Sequence, residues 1–246
     1  MKNLFLLIVL AASFNIGFSQ NKLSPADVSE GWELLFDGET TKGWRKYNGQ
    51  GIGSSWKVEN GVLVLDAKQN ADGKWVVEDG GDIVTEKEYS DFIFEYEWKI
   101  SPCGNSGVMF LVKEDPKYSA PWMTGPEMQI LDNECHPDAK IISHKAGDLY
   151  DIIPSVTDKS KPAGEWNHAR IRVQRGNLKM YLNGDLIVNV DMWNKQWDEK
   201  LKTTKWKDYP DFAKFQSGRI ALQDHRDARV EFRNMKIKNW ENVDDY

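Results

Sequence analysis

The stretch Asp91–Ile100, DFIFEYEWKI, decides the fold class. Apolar residues occupy every second position from Phe92 to Ile100, and charged residues fill three of the four positions between them. Because successive side chains of a strand point to opposite faces, this alternation predicts a half-buried antiparallel strand. One face of that strand packs on a core and the other faces solvent.

Shorter runs of the same kind follow along the chain, separated by turn residues. They predict strands at Ser55–Val58, Gly61–Asp66, Val108–Val112, Asn167–Gln174, Leu178–Leu182, Leu186–Val190, Arg219–His225 and Arg229–Lys238. Asn183-Gly184 is a strong hairpin signal because both residues tolerate positive φ. No amphipathic helix of convincing length and no internal repeat interrupts the pattern. The chain is therefore expected to be all-β, as a two-sheet β-sandwich or jelly roll.

Two segments break this rhythm. Pro154–Glu165 is a polar loop, and Asp191–Ser217 is a long charged insertion that contains six aromatic residues. A loop of that length inside a compact domain is usually functional or helical. The insertion is interpreted as a lid or rim of a binding site, with plain packing against a sheet edge as the alternative.

The chain begins with a pattern typical of a secretory signal peptide over residues 1–19. A lysine precedes an apolar run from Leu4 to Ala12, and small residues come before Gln20. The run is too short for a membrane span. We expect cleavage near Ser19-Gln20, a periplasmic or secreted location, and a single domain over residues 20–246. Removal of the peptide takes away Lys2 and no acidic residue, so the net charge changes from −6 to −7. Such a charge argues against a nucleic-acid partner.

The two cysteines of the chain, Cys103 and Cys135, leave alternatives open. In an oxidising compartment they could form a disulfide, although sequence spacing does not show that their Cα atoms approach each other. Two separate small buried residues is the preferred interpretation, and a catalytic thiol is the least favoured.

Polar residues enter an otherwise apolar strand at GPEMQILDNECH, residues 125–136. By strand parity Glu127 and Gln129 share one face, while Met128 and Ile130 share the core face. A bulge near the end of this strand would bring Asp132 round to join the polar face.

A second polar constellation lies near the C-terminus. Gln223 and His225 share one face of their predicted strand, and Arg233 lies on the polar face of the next strand. If these strands neighbour the strand of Glu127 and Gln129, the sheet acquires a polar face suited to sugar binding.

Two further groups of polar residues are candidates for a site. The loop Ser143–Asp151 carries His144, Tyr150 and Asp151 around a glycine. Asn105 lies between two glycines that would let the backbone approach a ligand, and its amide offers both a donor and an acceptor. The alternative for Asn105 is an ordinary turn residue.

The remaining histidines and the metal question are less informative. His136 is interpreted as a loop residue and His168 as a surface residue of the sheet. The chain lacks His-x-x-x-His and Cys-x-x-Cys spacings, which argues against a structural zinc site. A catalytic divalent ion stays open, since histidine and carboxylate side chains suit several metals.

These residues together resemble one known family. The matching segments are FDGETTKGW (Phe36–Trp44), WKVENGVLV (Trp56–Val64), SGVMF (Ser106–Phe110), GPEMQILDN (Gly125–Asn133), AGDLYDIIP (Ala146–Pro154), EWN (Glu165–Asn167), YLNG (Tyr181–Gly184) and IALQDHRDARVEFRNMKIK (Ile220–Lys238). In order and spacing they resemble the 3-keto-disaccharide hydrolase family over nearly the whole chain after residue 19. The resemblance implies a concanavalin A-like jelly roll and action on glycosides whose C3 hydroxyl has been oxidised to a ketone.

The implied chemistry differs from ordinary glycoside hydrolysis. A C3 ketone acidifies the proton on C2, so a base can remove it and the resulting enolate can expel the C1 substituent. Water then adds back, or the reaction stops as a lyase reaction. The implied acid and base groups are Glu127, His144 and His225. Arg233 or a bound divalent ion would hold the enolate oxygen. The implied sugar-binding residues are Asn105, Gln129, Tyr150, Asp151 and Gln223, with Trp166 as a stacking wall.

Two other functions compete with this one. Glu127-x-Gln129-x-x-Asp132 resembles, imperfectly, the Glu-x-Asp-x-x-Glu signature of laminarinase-type retaining glycoside hydrolases. Here an amide replaces the middle carboxylate and the shorter Asp replaces the last Glu, and both changes weaken a double-displacement mechanism. A non-catalytic, lectin-like carbohydrate-binding module is the second alternative.

Overall fold

A computed structural model describes residues 20–226 and 228–240. The expected signal peptide therefore lies outside the described residues and stays a prediction. The described strands are β1 (Trp32–Leu34), β2 (Trp44–Lys46), β3 (Trp56–Glu59), β4 (Val62–Leu65), β5 (Lys68–Gln69), β6 (Trp75–Val76), β7 (Ile83–Thr85), β8 (Phe92–Ile100), β9 (Asn105–Val112), β10 (Glu127–Leu131), β11 (Asn167–Gln174), β12 (Asn177–Leu182), β13 (Asp185–Asp191), β14 (Arg219–Leu222) and β15 (Val230–Asn239). The described α-helices, α1 (Pro25–Ser29) and α2 (Lys195–Leu201), are short, as are the 3-10 helices Pro121–Met123, Pro137–Lys140 and Lys205–Asp208.

The larger sheet has eight strands, in the order β13-β12-β11-β8-β15-β4-β3, and β1 pairs with β15 beside β4. The DFIFEYEWKI strand is β8, at the centre of this sheet. Its partners β11 and β15 are both antiparallel to it. A register shift between Arg233 and Lys236 divides β15, so β4 pairs with its first part and β1 with its last.

The smaller sheet has five antiparallel strands in the order β10-β9-β14-β7-β2. Strand β10 is the polar stretch of the sequence, and its register with β9 runs without interruption from Glu127 to Leu131. It is an edge strand in the sheet order, but the loop after it covers part of its free side. Leu149 forms a bridge to Met128, and the Tyr150 amide donates to the Glu127 carbonyl at 3.0 Å.

The two sheets pack face to face around one apolar cluster. Phe94 and Phe232 enter this cluster from the larger sheet, and Val108, Ile130 and Leu222 enter it from the smaller one. The Tyr96 hydroxyl meets the Met128 sulfur at 3.3 Å across the core. The predicted all-β two-sheet sandwich is confirmed. No described helix is long and apolar enough to cross a membrane.

The outer face of the smaller sheet is also partly apolar. Val84, Met109, Val112 and Ala221 form a second, small cluster there, against which Trp122 packs. Met109 pairs with Glu127 in the register, so the polar residues of β10 share this outer face. The parity predicted for Glu127 and Gln129 is thus correct, although both residues are buried rather than open to solvent.

The insertion Asp191–Ser217 forms part of the rim of a polar cleft on the smaller sheet. It contains α2 and the helix Lys205–Asp208, and Trp206 stacks on Phe212 with ring centroids 4.0 Å apart. The Ala213 amide donates to the Thr124 carbonyl at 2.8 Å, which joins the insertion to the segment before β10. The insertion therefore packs against the sandwich and lies beside the outer face of the smaller sheet.

The cysteines correct one prediction. Cys103 and Cys135 are joined in a disulfide, with their Cα atoms 4.7 Å apart, and both residues are exposed. The preferred interpretation as two separate buried residues is wrong. Asp132 explains part of the local geometry, because its carboxylate accepts from the backbone N–H groups of Cys103 and Glu134.

Candidate active site

A polar cleft of about 190 Å³ opens on the outer face of the smaller sheet. The sheet forms its floor, and the insertion together with the loop after β10 forms its walls. Its lining residues are Asn105, Trp122, Glu127, Gln129, Tyr150, Lys205, Trp206, Gln223 and His225. Of the ten side chains predicted for the site, Asn105, Glu127, Gln129, Tyr150, Gln223 and His225 are brought together here.

Gly107 creates the space that holds the central carboxyl. It pairs with Gln129 in the register of β9 and β10, and its carbonyl accepts from the backbone N–H of Gln223 at 3.0 Å. A Cβ atom at Gly107 would overlap the Oε1 atom of Glu127. Only glycine therefore lets the Glu127 side chain lie flat over β9. The sequence suggested that this glycine admits a ligand, whereas it admits a side chain of the protein itself.

Glu127 is the most perturbed carboxyl of the cleft. It is 4% exposed, and its Oε1 atom has no hydrogen-bond partner among the described residues. Burial raises its pKa to about 8, and the negative charge of Asp82 adds to the effect, while Lys205 and His225 oppose it. A carboxyl in such a site keeps its proton at neutral pH and can donate it.

Asp82 is a second perturbed carboxyl close behind the cleft. Its side chain accepts from the Asp224 amide at 2.9 Å, one residue before His225. Burial raises the pKa of Asp82 to about 6, against the effect of that hydrogen bond. No pattern in the sequence singles out this residue, which lies in an irregular segment directly before β7.

Three amide side chains line the floor. The side-chain Nε2 of Gln129 donates to the side-chain Oδ1 of Asn105 at 3.3 Å, and both residues are buried. The Gln223 Oε1 atom is buried and has no hydrogen-bond partner among the described residues. Because a buried acceptor without a partner is costly, this oxygen is suited to accept from a hydroxyl group of a ligand.

Lys205 supplies the cation of the cleft. Its ammonium lies 4.0 Å from the ring centroid of Tyr150 and 4.6 Å from that of Trp206. No carboxylate lies within ion-pair distance of it in the described part of the chain. Burial among these rings lowers the pKa of Lys205, against the pull of Asp151 and Glu127. Two aromatic faces, rather than an acidic partner, thus hold this charge beside Glu127.

Three residues that line the cleft were not predicted as site residues. Trp206 was recognised only as one aromatic residue of a lid or rim, and Trp122 and Lys205 were not singled out. Trp122 reaches the site because it contacts Tyr209 of the insertion edge-on, with ring centroids 5.3 Å apart. Nothing in the sequence around Lys205 distinguishes it from the neighbouring lysines of a charged loop.

His225 lies at the exposed mouth of the cleft. Its ring meets that of His136 edge-on, with centroids 6.4 Å apart and an interplanar angle of 85°. His136 was interpreted as an ordinary loop residue, and its Nδ1 atom does accept from the Asp138 amide at 3.2 Å. The structure nevertheless brings it to the edge of the site, through the loop that the disulfide anchors.

Two predicted site residues lie one layer behind the cleft. His144 is buried behind Tyr150, with ring centroids 4.4 Å apart, and its Nε2 atom lies 3.0 Å from Asp151 Oδ1. Neither His144 nor Asp151 lines the cleft. A catalytic role for His144 and a sugar-binding role for Asp151 are therefore not supported by their positions.

Two other predicted residues, Arg233 and Trp166, lie beside each other at the larger sheet. Arg233 belongs to β15 of the larger sheet, where it pairs with Glu97 at 2.7 Å and lies 4.0 Å from the ring centroid of Trp166. The condition that β15 neighbours the strand of Glu127 is not met, because β8 and β4 flank β15 instead. Arg233 and Trp166 therefore do not reach the cleft. Asp132 does not reach it either, since β10 has no bulge and the Asp132 carboxylate turns to the disulfide loop.

A divalent ion at this site stays a prediction. In the described part of the chain, one group of His, Cys, Asp or Glu ligand atoms lies close together, and it consists of Cys103, Asp132 and Cys135. Because its two sulfur atoms are bonded to each other, it does not offer thiolate ligands. In the cleft a metal would depend on Glu127 and His225 with neutral oxygen donors.

Comparison with known proteins identifies the family that the chain matches. Residues 31–238 match the model of a family described as the 3-keto-alpha-glucoside-1,2-lyase-like domain. A 3-keto-disaccharide hydrolase from Bacteroides thetaiotaomicron is 34% identical in an alignment 239 residues long, and the match covers 87% of this chain and 80% of that protein.

Solved structures extend the likeness to the fold. The crystal structure of a candidate glycosyl hydrolase from Parabacteroides distasonis is 32% identical, with a TM-score of 0.79, and the match covers 90% of this chain and 100% of that one. A second candidate glycosyl hydrolase from the same organism is 24% identical with a TM-score of 0.62, covering 85% and 98% of the two chains, and this likeness shows the fold alone.

Proposed function

We propose, since the chain belongs to the 3-keto-alpha-glucoside-1,2-lyase-like family, that it is a carbohydrate-acting enzyme that cleaves the glycosidic bond of 3-keto-glycosides. The reaction begins with removal of the C2 proton and ends with loss of the C1 substituent, with or without later addition of water. The observation that carries the proposal is the buried Glu127, whose pKa of about 8 keeps it protonated beside His225 and Lys205.

The proposed roles follow from the protonation state of Glu127. A group that holds its proton at neutral pH acts as an acid, so Glu127 protonates the departing glycosidic oxygen. Removal of the C2 proton, the earlier step, is assigned to His225. Its imidazole is the other side chain of the cleft that suits proton transfer.

Bond changes balance in two steps. The C2–H bond breaks, its proton goes to His225, and its electron pair forms the C2=C3 enolate with negative charge on the C3 oxygen. The enolate then restores the C3 ketone, a C1=C2 double bond forms, and the C1–O bond breaks as Glu127 protonates the leaving oxygen. Water that adds across C1=C2 makes the net reaction a hydrolysis.

Lys205 takes the role that the family resemblance implied for Arg233. It is the one lysine or arginine among the residues that line the described cleft, and its ammonium is not neutralised by a carboxylate there. A fixed cation stabilises a developing enolate more than a neutral ketone, so it lowers the barrier to proton removal. The amides of Asn105, Gln129 and Gln223 would bind sugar hydroxyl groups.

The two competing functions find less support in the cleft. A retaining glycosidase needs two carboxylates about 5–5.5 Å apart. Glu127 is the one carboxylate among the described lining residues, and its partner positions carry Gln129 and, turned away, Asp132. A lectin needs hydroxyl partners and gains nothing from a buried carboxyl that keeps its proton.

The test compares a 3-keto-glucoside with its parent glucoside, in heavy water and with or without a chelator. The proposal predicts aglycone release from the keto compound alone, deuterium at C2 of the hydrated product or of recovered substrate, and loss of turnover in Glu127→Gln. Equal cleavage of the parent glucoside would support the ordinary glycosidase instead. Binding of the keto compound without turnover would support the lectin-like module. Chelator sensitivity would establish a metal.

Export of the protein is a further part of the proposal. The expected signal peptide precedes the described residues, and the exposed disulfide between Cys103 and Cys135 supports an oxidising compartment, where such bonds persist. Fractionation of cells that express the full chain should place the enzyme outside the cytoplasm, with its mass reduced by the first 19 residues. A full-length cytoplasmic protein would contradict this.

A further inference from the structure

Two segments of the chain meet at Asp151, just outside the cleft. The Oδ1 atom of Asp151 lies 3.0 Å from His144 Nε2 in the loop after β10. The Oδ2 atom accepts from the backbone N–H of Lys205, in the insertion, at 3.1 Å. A single carboxylate thus ties the insertion that carries Lys205 to the loop that carries Tyr150.

His144 is placed to orient this carboxylate rather than to contact a ligand. It is 8% exposed and lies behind the Tyr150 ring, away from the lining of the cleft. Because Nε2 faces Asp151, the ring must carry a proton on Nε2 to make this hydrogen bond. Its Nδ1 atom has no hydrogen-bond partner among the described residues, and Asp138 Oδ2 lies 3.8 Å away. The imidazole therefore stands between two carboxylates with one firm contact, to Asp151.

The position of the Lys205 ammonium depends on the two hydrogen bonds of Asp151, to His144 and to the Lys205 backbone. Its side chain lies over Tyr150 and Trp206, and the Trp206 indole N–H donates to the Tyr150 carbonyl at 3.3 Å. The helix Lys205–Asp208 is a single turn, so it has little stability of its own. The Thr204 hydroxyl caps it by accepting from the backbone N–H of Trp206 at 3.2 Å, and the Asp151 hydrogen bond ties its first residue, Lys205, to the loop.

We propose that His144 and Asp151 are positioning residues that hold Lys205 over the floor of the cleft. Asp151 fixes the backbone of Lys205, His144 fixes Asp151, and Tyr150 lies between the pair and the cleft. This inference rests on the proposed function, in which Lys205 stabilises the enolate, and it identifies what sets the geometry of that cation. The histidine acts through two neighbours and touches no reacting atom.

The test uses His144→Leu, which removes the donor, and His144→Gln, whose amide can still donate to Asp151. With a 3-keto-glycoside, His144→Leu should lower kcat by roughly tenfold to a hundredfold with a much smaller change in KM, because a misplaced cation costs transition-state stabilisation. His144→Gln should recover most of that loss. In a Lys205→Met background the His144→Leu change should cost less than about twofold, because the cation it positions is gone. Lys207→Met, on the same helix but outside the lining of the cleft, is the control and should turn over like the wild type.

Amide hydrogen exchange gives a readout that does not depend on turnover. His144→Leu should speed exchange in peptides around Lys205 and leave those of β8 and β11 unchanged. An equal loss in the wild-type and Lys205→Met backgrounds, no difference between the Leu and Gln variants, or unchanged exchange at Lys205 would each overturn the inference. Wild type and Lys207→Met could both fail to cleave the keto compound while His144→Leu still speeds exchange around Lys205. The proposed reaction would then be wrong, and the positioning of Lys205 by His144 and Asp151 would stand.

Discussion

Replacement of Glu127 by Gln should make the folded protein more stable, and increasingly so as the pH rises. The side chain is 4% exposed and its Oε1 atom lacks a hydrogen-bond partner among the described residues. Ionisation of this carboxyl in place is therefore costly, because burial disfavours the charged form. Gln has nearly the same shape and carries no charge at any pH, so the variant removes the ionisation and leaves the packing.

The size of the effect follows from the two pKa values. Burial raises the pKa of Glu127 to about 8 in the folded protein, against an ordinary value of 4.5 for a glutamate in water. Between these two pH values the folded state binds a proton that the unfolded chain has released, so stability falls as the pH rises. The full contribution is present below pH 4.5 and is lost progressively towards pH 8. The loss is about 3 kcal/mol by pH 7, about 4 kcal/mol at pH 8 and about 5 kcal/mol well above pH 8.

Urea unfolding curves at several pH values between 4.5 and 8.5 measure this difference. The free energy of unfolding of Glu127→Gln minus that of wild type should grow by about 3 kcal/mol from pH 4.5 to pH 7. Glu39→Gln, which changes an exposed carboxyl, is the matched control and should show a nearly flat difference. A difference for Glu127→Gln that is equally flat would show that the buried carboxyl ionises as it does in water, and the assignment of Glu127 as an acid would fail.

Four further predictions concern the same cleft and its surroundings. The kcat/KM for a 3-keto-glycoside should fall as the pH rises through about 8, because Glu127 loses the proton that it donates, and a profile that rises there instead would make it the base. Gly107→Ala should lower kcat/KM by roughly a hundredfold by displacing the Glu127 side chain, with the circular dichroism spectrum unchanged, and an active variant would contradict the packing described. Arg233→Met should keep kcat/KM within about twofold of wild type, since Arg233 lies on the other sheet, and a large loss would restore its sequence-based role. The double change of Cys103 and Cys135 to Ser should lower the free energy of unfolding by about 4 kcal/mol, the loop-closure entropy of a 32-residue separation. The comparison is with wild type in the absence of reductant, and no loss would mean that the bond is absent in solution.

The sequence predicted the fold class because the signal for it is local. The alternation in Phe92–Ile100 sets which side chains face the core, and the structure keeps that parity in β8. The strand Asn167–Gln174 was predicted with the bounds it has, and its neighbours differ by one residue at most at each end. The shorter strands β1, β2, β5, β6 and β7 were missed, since two or three residues carry too little periodicity to be recognised.

Parity predicts the face of a strand but not the sheet to which the strand belongs. Arg233 lies on the polar face of β15, as expected, yet that strand pairs with β8 in the larger sheet. Its polar face is therefore the outer face of the larger sheet, whereas the cleft lies on the smaller sheet. Gln223 and His225 follow β14, which does pair with β9, and so they reach the cleft. The difference between these two outcomes is long-range pairing, which no local pattern contains.

The residues that the sequence could not supply come from the insertion. Lys205 and Trp206 reach the cleft because a charged, aromatic-rich segment folds back on the loop after β10 through Asp151 and Tyr150. His144 shows the converse error. Its residue type suggested proton transfer, but Tyr150 lies between it and the cleft. Residue type indicates what a side chain can do, and the packing of loops decides whether it meets a substrate.

The cost of burying Glu127 is itself an argument for catalysis. A module that only binds sugar can obtain hydrogen bonds from amides, and Asn105, Gln129 and Gln223 already supply them at the same floor. A carboxyl that lowers stability at neutral pH adds nothing to such binding, whereas acid catalysis requires a group that keeps its proton there. Function and stability are therefore expected to oppose each other at this position, as they often do at active sites. Glu127→Gln should be more stable than wild type and inactive, and a variant that is both more stable and fully active would refute the enzymatic interpretation of the cleft.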